Sequence, residues 1–369
     1  MISKICKNLF VLELANNHWG DIDRGIKIIR DFGAIAKHNN VKAAIKFQIR
    51  DVQNFVHKDF KNHESRYIQK TLATEMSFED YSRMAKEVKN VGCIPMATPF
   101  DENSVDVCMK LGFEIIKIAS SDANDWPLIQ KVAETNKPVI VSNGGLSEKD
   151  LDDLVKFFEN RKIPLAINHC VSLYPSEDSE LMLDQIDYLK KRYPNNLIGF
   201  SSHEYCDWTS SMFISYSKGA RTWERHIDVN YEGKDWEGKK VSAYCSKPED
   251  TNSWFESYHK AKEMCGGVNS SKRVISNKEI KYLDELVRGI YAKNNIKPGT
   301  VINSENFSDH FYLAIPLLKG QLSCREIING VSITKEINTD KPLTVEDIDG
   351  PYNSNDKLKE MIKERGFET

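Results

Sequence analysis

Leu9-Phe-Val-Leu-Glu-Leu-Ala15 is a run of six apolar residues broken by one carboxylate. It has the length and composition of a parallel strand buried on both faces, where a charge has no cheap place to sit. Seven similar runs follow: Ala43–Gln48, Cys93–Thr98, Ile115–Ser120, Pro138–Ser142, Leu165–His169, Leu197–Ser201 and Ala220–His226. Most end in a polar or charged residue. The residues at these ends include Glu13, Lys46, Lys117, Ser120, His203 and His226. Strands that deliver chemistry at their C-terminal ends, one after another, are the pattern of a (β/α)8 barrel.

The segments between the runs read as helices. Asp21–Lys37 places Ile22, Ile26, Ile29 and Ala36 near helical period, with Asp21 as its cap. Ser77–Val91 opens Ser-Phe-Glu-Asp, an N-cap followed by acidic residues that favour the helix start. Asp101–Leu111 and Ser147–Phe158 repeat the scheme. Strands alternating with helices imply a parallel sheet, and eight units over roughly 265 residues match a TIM barrel of about 250. Two stretches break the alternation. Arg50–Thr74 is long and polar and is expected to be a loop over the barrel mouth. Val229–Pro248, rich in Gly, Lys and Trp, is expected to be a second.

After Gly266-Gly267 the composition changes. Ser270–Lys278 reads as linker. From Leu286 short strands and turns succeed one another: Val287–Ala292, Lys297-Pro298-Gly299, Val331–Thr334 and Asp340-Lys341-Pro342. The organisation is therefore a barrel over 1–267, a linker over 268–285, a small β-rich module over 286–349, and a charged tail over 350–369. The tail is expected to be helical and partly frayed.

The 369 residues carry a net charge of -3 with a pI near 6.3, so no global basic field recruits nucleic acid. Mean hydropathy is -0.50, and no apolar run has the 18 or so residues of a membrane span. The N-terminal residues lead into a run too short for a secretory signal. The eight cysteines show no C-x-x-C spacing and read as reduced core residues. Together these features imply a soluble, cytoplasmic protein.

Four constellations carry chemistry. Glu13 ends the first strand, with Asn16, Asn17 and His18 in the loop behind it. Lys46 and Lys117 end strands two and four. A buried lysine needs an anion, so the pair suits a phosphate or carboxylate ligand, although an ion pair with a barrel carboxylate would satisfy each lysine equally well. Ser120, Ser142 and the backbone of Gly144-Gly145 offer neutral donors to the same anion. His203 and His226 end consecutive strands and suit a divalent metal, with Glu13 as a third ligand or a water orienter. No nucleotide-binding glycine motif is present.

These motifs resemble the bacterial sialic acid synthase family. Glu13–Asp21 is similar to its E-I-G-x-N-H-x-G-D signature, Lys46-Phe-Gln48 to V-K-F-Q, and Thr98-Pro-Phe-Asp101 to S-T-P-F-D. Lys117-Ile-Ala-Ser120, Ser142-Asn-Gly144, His169–Pro175, Gly199–His203 and Glu224-Arg-His226 resemble further family motifs. Leu286–Asp349 resembles the antifreeze-like (SAF, β-clip) domain that closes such synthases. The resemblance implies metal-dependent condensation of phosphoenolpyruvate (PEP) with an N-acetylated amino-hexose aldehyde of the N-acetylmannosamine type, giving a nonulosonic acid and phosphate. It implies a PEP site of Lys46, Thr98, Lys117, Ser120, Ser142, Ser172 and Ser201. It implies Mn or Mg on His203 and His226, catalytic roles for Glu13 and Asp122 beside these imidazoles, and sugar contacts from Asn17, His18, Gln48, Tyr174 and Asp235. It also implies a domain-swapped homodimer. The alternatives are another PEP-dependent 3-deoxy-sugar-acid synthase on the same barrel, or a catalytically idle sugar-binding relative.

The chain departs from the family pattern at several points. Asp122 stands where the family has Glu, and Ser202 replaces an Asp. Asp235-Trp236 replaces Asp-His. The Arg-Pro-Gly-x-Gly segment, whose Arg reaches the sugar, is absent; Lys319 and Arg325 are the cations in that region.

Overall fold

The computed structural model describes residues 5–205, 207–233, 236–267 and 273–368. The chain divides into two compact units, Met1–Ser270 and Ser271–Thr369.

In the first unit, eight parallel strands close into a barrel: β1 (Leu9–Ala15), β2 (Lys42–Ile49), β3 (Ile94–Pro99), β4 (Ile115–Ile118), β5 (Val139–Ser142), β6 (Leu165–Cys170), β7 (Leu197–Ser202) and β8 (Thr222–His226). β1 pairs with both β2 and β8. The expected helices lie between them: α1 (Ile22–His38), α4 (Phe78–Asn90), α5 (Glu102–Lys110), α6 (Trp126–Glu134), α7 (Glu148–Asn160), α8 (Gln185–Arg192), α9 (Trp208–Lys218) and α10 (Pro248–Met264). Their caps are the ones the sequence offers. Asp21 accepts from the N–H groups of Asp23 and Arg24, Ser77 from Asp80, and Ser147 from Asp150.

The stretch 50–74 is not a loop. It contains α2 (Val52–Phe55), a single 3-10 turn at Lys58–Phe60, and α3 (Arg66–Ala73). Its helical faces are short and mostly polar, so its periodicity was too weak to read. Its one buried residue on α3 is Thr71.

Strand alternation decides what enters the barrel. Phe10, Leu12 and Leu14 face outward and join the core under the helices, with Phe32, Trp223 and Phe255. Leu9 and Val11 face inward and pack with Ala44, Met96, Ile115, Ile140 and Ala166. Two residues further along, the same period brings Glu13, Lys46, Thr98, Lys117 and Ser142 to the next level. The apolar layer closes the barrel bottom, and the polar layer above it forms the floor of the mouth.

The second unit begins with α11 (Asn277–Asp284), capped by Ser276, within the stretch expected to be linker. Two antiparallel strand pairs follow: β9 (Gly289–Ala292) with β11 (Phe311–Ala314), and β10 (Val301–Ile302) with β12 (Val331–Ser332). Its core gathers Ile290, Phe311, Leu322, Ile333, Leu343 and Ile348. The tail is not frayed. The helix Asp356–Lys363 buries Ile362 in that core, the Phe367 N–H donates to the Leu317 carbonyl at 2.7 Å, and Arg365 pairs with Glu326 at 2.6 Å. Lys319 pairs with Glu368.

Among the described residues no helix is long and apolar enough to cross a membrane.

Candidate active site

The barrel mouth opens into a cavity of about 610 Å³. Register builds its floor. Glu13 lies opposite Lys46 on one side and His226 on the other, and Ser201 lies opposite Glu224. The Lys46 ammonium is buried and contacts a Glu13 carboxylate oxygen and, at 3.4 Å, Glu224; it also donates to Thr98 Oγ1 at 2.9 Å. Lys117 Nζ lies 3.1 Å from Glu224 Oε2. Both lysines therefore pair with barrel carboxylates and line the cavity at the same time. Burial opposes the charge on Lys46, but Glu13 and Glu224 outweigh it and raise its pKa. Burial likewise opposes ionisation of Glu224, and Lys117 with Lys46 holds it below its ordinary range. The floor is a desolvated quartet of two lysines and two carboxylates, in which burial pushes the Glu13 pKa up against the opposing pull of Lys46.

Glu224 stands in the Glu224-Arg-His226 motif, which gave it no role. Its signal was the strand period: it stands two residues before His226 on the same inward face.

Hydroxyls rim the floor. Thr98, Ser120, Ser142, Ser172 and Ser201 all line the cavity. Ser120 Oγ accepts the Gly144 N–H at 3.0 Å. Ser142 Oγ is buried with no hydrogen-bond partner among the described residues, an orphan that a bound ligand would satisfy. Gly144 is required by closeness, since a Cβ there would stand 2.2 Å from Ser172 Oγ and 2.9 Å from Ser120 Oγ.

His203 and His226 face each other with ring centroids 5.5 Å apart. His203 Nδ1 lies 2.9 Å from the Val171 carbonyl and donates to it, which leaves Nε2 with its lone pair. Burial pushes His203 down to about 4, and burial with the neighbouring His203 pushes His226 well below its ordinary range. Both imidazoles are therefore neutral, the form that ligates metal. Among the described residues no three His, Cys, Asp or Glu side chains converge on one point. Two neutral imidazoles are a donor set that could hold a divalent ion.

The expected sugar contacts separate. Gln48 Nε2 donates to Glu13 Oε1 at 3.0 Å and lines the cavity. Asn17 lines it too, with Nδ2 donating to the Ile227 carbonyl at 2.9 Å. Tyr174 lies tilted against His203, with centroids 4.0 Å apart, and edge-on to Tyr244 at 5.3 Å. His18 does not reach the cavity. It is fully buried, its Nδ1 accepts the Gly20 N–H at 3.0 Å, and it packs edge-on to Tyr81. Burial pushes it down to about 3, so it serves the loop's fold. Asp122 stands one residue behind the lining Ser121, accepts that serine's hydroxyl at 3.0 Å, and is pushed up to about 6 by burial. Asp235 lies outside the described residues.

A model of the NeuB family matches residues 34–270. The chain belongs to the NeuB family. This NeuB-family chain is 30% identical over 295 residues to an uncharacterised protein of Methanocaldococcus jannaschii, across 79% of this chain and 81% of that one. It is 25% identical to a pseudaminic acid synthase of Campylobacter jejuni, over 81% of this chain and 86% of the synthase. A crystal structure from Chromobacterium violaceum, described as spore coat polysaccharide biosynthesis protein E, superposes with a TM-score of 0.86 at 30% identity, covering 93% of this chain and all of that one.

Proposed function

We propose that this NeuB-family synthase condenses PEP with an N-acetylated amino-hexose aldehyde and releases phosphate, giving a nonulosonic acid. The observation that carries this reading is the floor itself. Two buried charged lysines, an orphan Ser142 hydroxyl and a glycine-lined hydroxyl cradle sit below a pair of neutral imidazoles.

On this reading Lys46, Lys117 and the hydroxyls of Thr98, Ser120, Ser142, Ser172 and Ser201 hold the phosphate and carboxylate of PEP. Binding replaces part of the lysines' bonds to Glu13 and Glu224, so both carboxylates become free to accept protons beside the reacting carbons. The new bond joins PEP C3 to the aldehyde carbon. Water adds at PEP C2, and the C–O bond to phosphate breaks. Gln48 orients Glu13 toward the aldehyde, and Tyr174 with Asn17 borders the acceptor. A divalent ion, Mn or Mg, held by His203 and His226 would supply Lewis-acid polarisation of the acceptor carbonyl. The wall fixes geometry and field before the reaction starts, which is where most of the rate gain in such sites arises.

Lys46→Ala and Lys117→Ala are each expected to weaken PEP binding tenfold or more, since a charged hydrogen bond is worth roughly 1.5–3 kcal/mol and the freed carboxylate then repels the ligand. Calorimetric titration decides this, and unchanged affinity in both variants overturns the PEP site. Mass spectrometry of the products from PEP and a panel of amino-hexoses tests the reaction.

The second unit is read as an antifreeze-like domain that covers the mouth of a second copy, making the enzyme a domain-swapped homodimer. Its support is the separate apolar core of 271–369 together with the motif resemblance. Light scattering should give twice the chain mass; a monomer at micromolar concentration overturns the dimer.

A further inference from the structure

The two imidazoles of the mouth are backed by a buried charge network that does not line the cavity. Arg225 stands between Glu224 and His226 on β8, and strand alternation sends its side chain to the opposite, outer face. It is fully buried, as is Glu204, the residue after His203. Among the described residues the His226 ring makes no hydrogen bond. Its position is therefore set by its backbone and by the rings of Tyr174 and Tyr244 that pack edge-on to it.

The Arg225 guanidinium distributes its donors over both sides of the imidazole pair. Nη1 donates to Ser202 Oγ at 2.8 Å and pairs with Glu204 Oε1 at 2.8 Å. Nη2 donates to the Glu204 carbonyl at 2.9 Å, and Nε to Ser246 Oγ at 2.8 Å. Ser202 and Glu204 flank His203, and Ser202 is one of the positions where the chain departs from the family motif. Ser246 in turn donates its N–H to the His226 carbonyl at 2.8 Å. One side chain thus joins the segment that carries His203 to the segment that fixes His226. The Ser211 hydroxyl holds the Glu204 carboxylate, and the guanidinium carbon lies 4.8 Å from the Trp208 ring centroid, so α9 closes the network from outside. A buried ion pair adds little net stability over apolar residues of similar volume, but a planar fork with good hydrogen bonds fixes where its partners sit.

We infer that Arg225, with Glu204 and Ser246, is a positioning residue that sets how His203 and His226 stand toward each other, and thereby how tightly and in what geometry the two imidazoles hold a divalent ion. This rests on the reading of the imidazole pair as a metal site. Arg225 and Glu204 touch no substrate and no reacting atom; they act through the backbone on either side of the rings. Outer partners that orient the ligands of a metal typically change its affinity about ten- to a hundredfold when they are lost. Lysine is a poor replacement for Arg225. Its ammonium offers three donors from a single atom, whereas the four contacts here leave from three nitrogens of one plane.

The test titrates the full chain with Mn, and separately with PEP in metal-free buffer, by calorimetry, and records the visible absorption of bound Co. Arg225→Lys keeps the charge and loses the fork. Arg225→Met together with Glu204→Gln removes both charges, so that neither is stranded. Ser246→Ala removes only the link toward His226 and puts the fold at least risk. Scanning calorimetry establishes that each protein is folded at the temperature of titration. Mn affinity should fall about tenfold or more in the first two and by less in Ser246→Ala, with a changed Co absorption, while PEP affinity stays within about twofold, since its lysines stand on β2 and β4. Unchanged Mn affinity and Co absorption in the folded variants overturn the inference and leave the metal site standing. An equal fall in Mn and PEP affinity also overturns it, because the network is then general scaffolding. A wild-type chain that binds neither Mn nor Co removes the metal site and the inference together. If the variants lose Mn as expected but even the wild type binds no PEP, the synthase reading fails and the positioning role stands.

Discussion

Alanine at both His203 and His226 is expected to lower turnover by at least about a thousandfold while leaving the barrel folded. Lewis-acid activation is worth several kcal/mol of barrier, and each 1.4 kcal/mol is about tenfold in rate. The two rings are neutral nitrogen donors at the ends of adjacent strands with centroids 5.5 Å apart, and among the described residues no group of three His, Cys, Asp or Glu converges to hold an ion. The fold should survive, because His203 lines the cavity, where water can replace its hydrogen bond to the Val171 carbonyl, and His226 sits at the end of its strand. Circular dichroism checks the fold, and elemental analysis after dialysis against Mn checks the site. An alanine double variant that retains a full equivalent of metal would show that the ion sits elsewhere.

Glu224→Gln should behave in an unusual way: unstable alone and rescued by ligand. The wild-type carboxylate joins both lysines, with side-chain exposure of 6% against 4% for Lys46 and 3% for Lys117. Removing its charge leaves two buried ammonium groups to share Glu13. Breaking a buried pair from one side costs about 3–5 kcal/mol, because the remaining charge is stranded. At roughly 2–4 °C per kcal/mol for a domain approaching this size, the melting temperature should fall by about 6 °C or more. PEP brings new anions to the same lysines, so the thermal shift on adding PEP should be larger in the variant than in the wild type. Catalysis should still be impaired, since the carboxylate is then missing beside the reacting carbons. Scanning calorimetry with and without PEP reads the effect; equal melting temperatures and equal ligand shifts would remove Glu224 from the charge quartet.

What could be read before folding differed from residue to residue. The strands announced themselves because a parallel barrel strand is apolar on both faces, and a lysine or glutamate at its end stands out against that background. The helix caps were legible because Asp21, Ser77 and Ser147 satisfy N–H groups only two or three residues away. His18 misled for the same local reason: it sits in a motif beside Glu13, yet the turn that follows carries its ring behind the cavity wall. The charged tail misled because its anchors are long-range: Ile362 enters the core of the second unit, Arg365 pairs with Glu326 and the Phe367 N–H donates to the Leu317 carbonyl.

The sequence by itself determined the barrel, the strand-end lysines and histidines, and the family to which they point. Each of these depends on periodicity or on neighbours along the chain. Tertiary structure alone decided that Glu224 ties Lys46 to Lys117, that the insert 50–74 brings Arg50 and Lys70 to the rim of the mouth, and that Ser120 and Ser172 enclose Gly144. These contacts join residues from 24 to 178 positions apart, or 107 in the case of Lys117 and Glu224. Coulomb interaction and burial act on distance in space, and that distance exists only once β8 has closed against β1.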